Sequence, residues 1–169
     1  MRAARPSITR ALASDAGEIA ELYLAARLDA LPYLRRVHTD AEVHAWIGKV
    51  VLARDETWVA RENDLIVGFM TLIDDQVDQL YVLPGHYRRG IGKQLLAVAQ
   101  ERGPDRLYLY TFQRNAGARA FYEAQGFRVV SISDGACNQE GEPDVCYEWT
   151  PSGVLLDGGA DVNRLIKET

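Results

Sequence analysis

Two segments, one strand apart, constrain this chain more than anything else in it. The first, Leu80-Tyr81-Val82-Leu83-Pro84-Gly85-His86-Tyr87-Arg88-Arg89-Gly90-Ile91-Gly92-Lys93, is an apolar strand that runs into a basic loop with glycines and on into a helix. The exposed N–H groups of a helix's first turn and its dipole favour an anion, and glycine lets the backbone approach one without a Cβ in the way. Arg88, Arg89 and Lys93 add countercharge. Alone, such a loop reads equally well as a phosphate cradle or a surface turn. The second segment, Asn115-Ala116-Gly117-Ala118-Arg119-Ala120-Phe121-Tyr122-Glu123-Ala124-Gln125-Gly126-Phe127, follows at the distance one strand requires, and the two together are far more specific than either.

The rest of the chain alternates strands and helices around these segments. Ser7 to Leu12 reads as a first strand, and Asp15 with Glu18 gives a capping-box start to a helix whose stripe is Ile19, Leu22, Tyr23 and Ala26, running to about Leu28. Pro32 interrupts. Thr39 with Glu42 repeats the capping pattern for a second helix with Val43, Trp46, Ile47 and Val50 on its apolar face. Thr57 to Arg61 and Leu65 to Ile73 read as a hairpin around Asn63-Asp64, and Gly68 marks a bulge or a close backbone approach. Val77 to Leu83 is the next strand. A helix then runs from Ile91 to Arg102 and is stopped by Gly103-Pro104. Leu107 to Phe112 is a strand, Asn115 opens a helix that ends at Gly126, and Arg128 to Ser133 with Val145 to Thr150 complete the set. The order is β-α-α-β-β-β-α-β-α-β-β, one domain over residues 7–150, with 151–169 as a C-terminal tail holding a short helix at Val162 to Lys167.

Length and composition agree with one ordinary globular domain: 169 residues, 47% hydrophobic and 25% charged. A net charge of −5 argues against a nucleic-acid partner held by phosphate neutralisation and suits a cationic acceptor. Cys137 and Cys146 fall in no metal spacing and are too few for a disulfide framework, and no apolar run approaches membrane-span length. A reduced, cytoplasmic protein with no membrane partner is expected. His38, His44 and His86 share no ligand spacing, so no metal is expected.

The two segments resemble those of the GNAT superfamily of acyl-CoA-dependent N-acyltransferases, with its [QR]-x-x-G-x-[GA] loop and N-x-x-A-x-x-F-Y-x-x-x-G-F helix. Gly90 and Gly92 match the loop, whereas Tyr87 stands where Gln or Arg is usual. The resemblance spans about Ser7 to Thr150. It implies an α/β fold with a mixed, mostly antiparallel central sheet flanked by helices and splayed at the fourth and fifth strands. It also implies acetyl-CoA as acyl donor. The stretch Leu80, Tyr81 and Val82 would meet the pantetheine arm, chiefly through the backbone groups of Leu80 and Val82. Arg88, Arg89, Gly90, Ile91, Gly92 and Lys93 would cradle the pyrophosphate, and Asn115 would face the cofactor. Tyr122 would protonate the leaving thiolate.

Several of these residues have a plainer reading beside the functional one. Asn115 is placed to cap a helix, with or without a cofactor contact. Phe121 reads as core; Tyr122 is either core or the general acid. Asp78 and Asp75 are candidate bases, directly or through water, with Gln76 beside them; the alternative makes Asp74 and Asp75 turn residues and Asp78 a solvated strand position. From Val129 to Asn163 there is no Lys or Arg, only acids such as Glu140 and Glu142. This stretch is either a lip for an amine or an ordinary solvated loop and tail. Leu31 to Thr39, with Tyr33, Arg35 and Arg36, is the other candidate substrate wall. The expected activity is acetyl transfer to a primary amine of a small molecule or peptide, and a homodimer is compatible with the fold. The alternative is a non-catalytic acyl-CoA-binding sensor or scaffold.

Overall fold

The computed structural model describes residues 5–103 and 105–153; Pro104 and the expected helix at Val162 to Lys167 lie outside the described residues. In chain order the elements are β1 (Ser7–Arg10), α1 (Ala16–Ala30), α2 (Asp40–Trp46), a π-helical turn (Ile47–Val51), α3 (Leu52–Arg54), β2 (Glu56–Glu62), β3 (Leu65–Ile73), β4 (Gln76–Val82), α4 (Ile91–Arg102), β5 (Leu107–Phe112), α5 (Ala116–Ala124), β6 (Arg128–Ser133) and β7 (Asp144–Trp149). This is the expected order. The second helix differs in detail: it widens into the π turn after Trp46 instead of running on as α-helix.

The strands form one seven-stranded sheet in the order β1-β2-β3-β4-β5-β7-β6. Every pairing is antiparallel except β4–β5, which is parallel and joined only at Gln76↔Tyr108. Beyond that point β4 and β5 part, as the fold class predicts. One face of the sheet packs on α4 and α5 through residues such as Met70, Ile91, Leu95, Tyr122 and Tyr147. The other packs on α1, α2 and the π turn through Ile19, Leu22, Ile47, Ile66 and Phe69. The result is a three-layer α/β/α arrangement.

The two capping-box patterns have different fates. Thr39 Oγ1 accepts from Glu42 N at 3.3 Å, and Glu42 Oε2 accepts from Thr39 N at 2.7 Å, which is the reciprocal pair expected. Asp15 and Glu18 do not form one. Asp15 reaches back to Leu12 N (2.8 Å) and pairs with Arg61 (2.7 Å), while Glu18 Oε1 accepts from Ile66 N of β3 (2.6 Å). Both carboxylates are claimed by the sheet, where a guanidinium and a strand N–H compete with the helix's own first turn.

Gly68 proves to be both things its position suggested. The β2–β3 register shifts beside it, with Ala60 opposite Gly68 and Arg61 opposite Ile66. A Cβ there would also lie 2.8 Å from Ile91 Cγ2, so α4 packs against bare backbone at this point.

Candidate active site

A second register shift, in β4, organises the site. Thr71 pairs with Gln79 but Leu72 pairs with Val77, so Asp78 is the extra residue of a β-bulge. The bulge changes the parity of the strand. Val77, Leu80 and Val82 share the α4–α5 face, while Tyr81 and Leu83 turn toward α1.

The same register orients the backbone. Leu83 N donates to Val67 O at 2.9 Å, and the pairs Gly68↔Val82 and Met70↔Leu80 fall between the hydrogen-bonded ones. The N–H and C=O groups of Leu80 and Val82 therefore point away from β3, toward the gap left by β5.

That gap holds a cavity of about 90 Å³ lined by, among others, Asp78, Leu80, Tyr81, Asn115 and Tyr122. A larger, shallower concavity of about 420 Å³ lies between Phe127, Trp149 and Gly153 and contains none of the predicted residues. Size alone does not choose the site.

Tyr122 is buried at 8% exposure. Burial, with the neighbouring Tyr81 phenol, pushes its pKa well above the usual tyrosine value, so the hydroxyl is protonated at neutral pH. Asn115 caps α5 by accepting from Ala118 N at 3.1 Å while also lining the cavity. Both of its readings are thus compatible with one geometry. Phe121 packs over Gly92, where a Cβ would come within 3.2 Å of its ring, and so joins α5 to the first turn of α4.

Asp78 sits among amides: Gln79 Nε2 donates to Oδ2 at 3.0 Å and Gln76 Nε2 to Oδ1 at 3.4 Å. Gln76 in turn accepts from the Tyr108 hydroxyl at 3.3 Å. Asp75, the other candidate base, is engaged by Arg106 at 3.0 Å and is absent from the cavity lining.

The basic loop joins the end of β4 to α4. Arg88 (φ 61°) and Gly90 (φ 80°) adopt the left-handed region, which recurs in anion-binding backbone turns. Arg88 and Lys93 are exposed, and Arg89 pairs with Glu62 at the end of β2 at 2.9 Å. Tyr87, at the motif's unusual position, donates to Asp29 Oδ2 at 2.9 Å, which ties the loop to α1. Burial and this carboxylate push its pKa up to about 12.

The two candidate substrate walls touch each other. His38 Nε2 lies 3.1 Å from Gln139 Oε1, Arg27 donates to Glu140 at 3.1 Å, and Arg114 stacks 3.8 Å from the Tyr33 ring centre while reaching Glu142 at 3.4 Å. The acidic stretch is therefore partly neutralised by arginines from α1 and from the turn before α5. Sequence reasoning missed Arg27 because its partner is 113 residues away. Arg36, named with Tyr33 and Arg35 on the Leu31 to Thr39 wall, pairs with Asp40.

Residues 53–129 match the family model of an acetyltransferase (GNAT) domain. The chain is 32% identical over 133 residues to the peptidyl-lysine N-acetyltransferase YiaC of Escherichia coli (strain K12), covering 75% of this chain and 86% of that protein. Among solved structures it resembles apo-form YjaB from Escherichia coli, with a TM-score of 0.71, 24% identity, and coverage of 85% of this chain and 96% of the other. YncA of Salmonella typhimurium, a putative acetyltransferase solved with acetyl-CoA, aligns with a TM-score of 0.66 and 21% identity over 87% of this chain and 94% of its own.

Proposed function

The chain belongs to the GNAT family of N-acetyltransferases, and from that premise we propose that residues 7–150 carry the acetyl group of acetyl-CoA to the side-chain amine of a lysine. One observation carries the reading: Tyr122, Asp78 and Leu80, whose backbone groups turn away from β3, line a single cavity between parted strands. The lysine acceptor is supported by the similarity to YiaC, named a peptidyl-lysine N-acetyltransferase.

In this reading the pantetheine arm lies along β4 as an added strand, hydrogen-bonded to Leu80 and Val82. Backbone N–H groups from Arg88 to Lys93 hold the pyrophosphate. A lysine amine has a reference pKa near 10.4, so on the order of 0.04% is neutral at pH 7 and a base is needed. Asp78, directly or through a water, takes that proton. The amine nitrogen then bonds to the thioester carbon, and the carbonyl electrons move onto oxygen beside the Val82 N–H. As they return, the C–S bond breaks, the sulfur takes the Tyr122 proton, and the nitrogen's surplus proton passes through water to the Tyr122 phenolate, leaving a neutral amide, the CoA thiol and the phenol. No covalent enzyme intermediate is required.

A second acceptor class, a small free amine, is favoured by the contacts that join the two substrate walls, since small amines suit enclosed sites. Titration with acetyl-CoA, followed by a thiol-release screen of lysine peptides against small amines, separates the possibilities. Turnover on peptides supports the proposal; turnover on small amines alone replaces its acceptor; binding without turnover on any amine leaves an acyl-CoA sensor.

A further inference from the structure

The parity shift at Asp78 has a consequence for the next aromatic side chain. In an unbulged strand Tyr81 would share a face with Val77; here it turns toward α1 while still lining the cavity with Tyr122. Its ring is fixed on two sides, edge-on to Tyr23 at 5.1 Å and stacked on Phe69 at 5.8 Å.

Arg27 completes the arrangement. Its guanidinium lies over the Tyr23 ring at 5.4 Å and beside the Tyr81 hydroxyl, and Glu140 anchors it from the far side of the site at 3.1 Å. An arginine can only donate, so toward the Tyr81 oxygen it offers N–H groups alone and leaves the phenolic proton to point elsewhere. The neighbouring cation also polarises that O–H into a stronger donor. Tyr81 and Tyr122 line the same cavity, and the Tyr81 phenol adds to the upward push that burial gives the Tyr122 pKa.

We propose that Tyr81 is a catalytic residue of the transfer step, donating its hydroxyl to the acetyl carbonyl oxygen, and that Arg27, held by Glu140, is the residue that positions it. This deepens the transferase reading and rests on it for where the thioester lies. With the Tyr122 hydroxyl at the sulfur, the carbonyl is one bond further into the same cavity, next to Tyr81. The oxygen gains charge when nitrogen attacks and loses it when C–S breaks, so a fixed donor there favours the tetrahedral state over the bound thioester. Tyr81 thus adds a side-chain donor to the backbone N–H of Val82.

The test reads the bond without requiring turnover. The infrared carbonyl band of [1-¹³C]acetyl-CoA is recorded on the wild-type protein and on Tyr81→Phe, Arg27→Gln and Tyr122→Phe. Tyr81→Phe keeps every ring carbon, so the packing on Tyr23 and Phe69 survives. The band is expected lowest in wild type and Tyr122→Phe, highest in Tyr81→Phe and intermediate in Arg27→Gln. In turnover, Tyr81→Phe is expected to lower kcat by about 100-fold with both KM values within about twofold. A band at the same position in wild type and Tyr81→Phe overturns the proposal. A wild type that shows the shifted band yet acetylates no amine refutes the transferase reading and leaves the Tyr81 contact standing. Failure of acetyl-CoA to bind at all overturns both.

Discussion

Phe127 holds Tyr122 twice: its N–H donates to the Tyr122 carbonyl at 3.1 Å, and the two rings meet at 5.7 Å. With Gly126 at φ 88° between them and Glu123, this is a Schellman ending with its customary apolar contact. The F-Y-x-x-x-G-F pattern is therefore the description of a helix end. It sets the position of the Tyr122 side chain through the backbone carbonyl and ring, and neither contact uses the phenolic oxygen.

Tyr122→Phe should for that reason separate chemistry from packing. Denaturant unfolding should change by less than about 0.5 kcal/mol, acetyl-CoA affinity should hold, and kcat should fall by about 100-fold, the lower range for loss of a general acid. Unchanged kcat removes Tyr122 as the acid.

Gly68→Ala tests the seating of α4. The new methyl would meet Ile91 Cγ2 at 2.8 Å and Leu95 Cδ1 at 3.2 Å, forcing the first turn of α4 outward. A loss of about 1–3 kcal/mol in stability is expected, as for other overpacked cores. Calorimetric titration should show weaker CoA binding, because that turn follows the proposed phosphate loop.

Arg89 and Glu62 make opposite predictions at one place. Arg89→Ala should weaken CoA binding. Glu62→Gln, which removes the carboxylate 2.9 Å from Arg89, should strengthen it by about threefold at low salt, with the gain fading near 1 M salt as screening shortens. An Arg89→Ala protein that binds CoA as tightly as wild type rules out the phosphate-loop role of that side chain.

Asp15 predicts a pH signature. Burial alone would raise its pKa, but the Leu12 N–H and the Arg61 guanidinium outweigh burial and hold it below the ordinary value of 3.8. A depressed folded-state pKa contributes stability that is fully present above the unfolded value and is lost as pH falls through the folded one. Asp15→Asn should thus destabilise the protein at pH 7, since it leaves the partly exposed Arg61 without its carboxylate. The difference between wild type and variant should shrink below about pH 4. A gap that stays constant from pH 7 to pH 3 would exclude the linkage.

The sequence was a good guide wherever the information is local. The Thr39–Glu42 box, the Asn115 cap and the end of α5 at Gly126 each involve residues within five positions of one another. The Asp15–Glu18 pattern looks the same in one dimension and failed, because Arg61 and Ile66 arrive from the sheet to claim both carboxylates.

By itself, then, the sequence determined the succession of strands and helices and the glycine loop between β4 and α4, since propensities, caps and turns act over one or two helical turns. The tertiary structure alone decided which way Tyr81 faces, because one extra residue in β4 against β3 reverses the strand's parity and nothing in β4 announces it. It likewise decided that Asp78 and not Asp75 lines the cavity, and that Arg27 meets Glu140. Those outcomes depend on register and on partners more than a hundred residues apart, which no local pattern encodes.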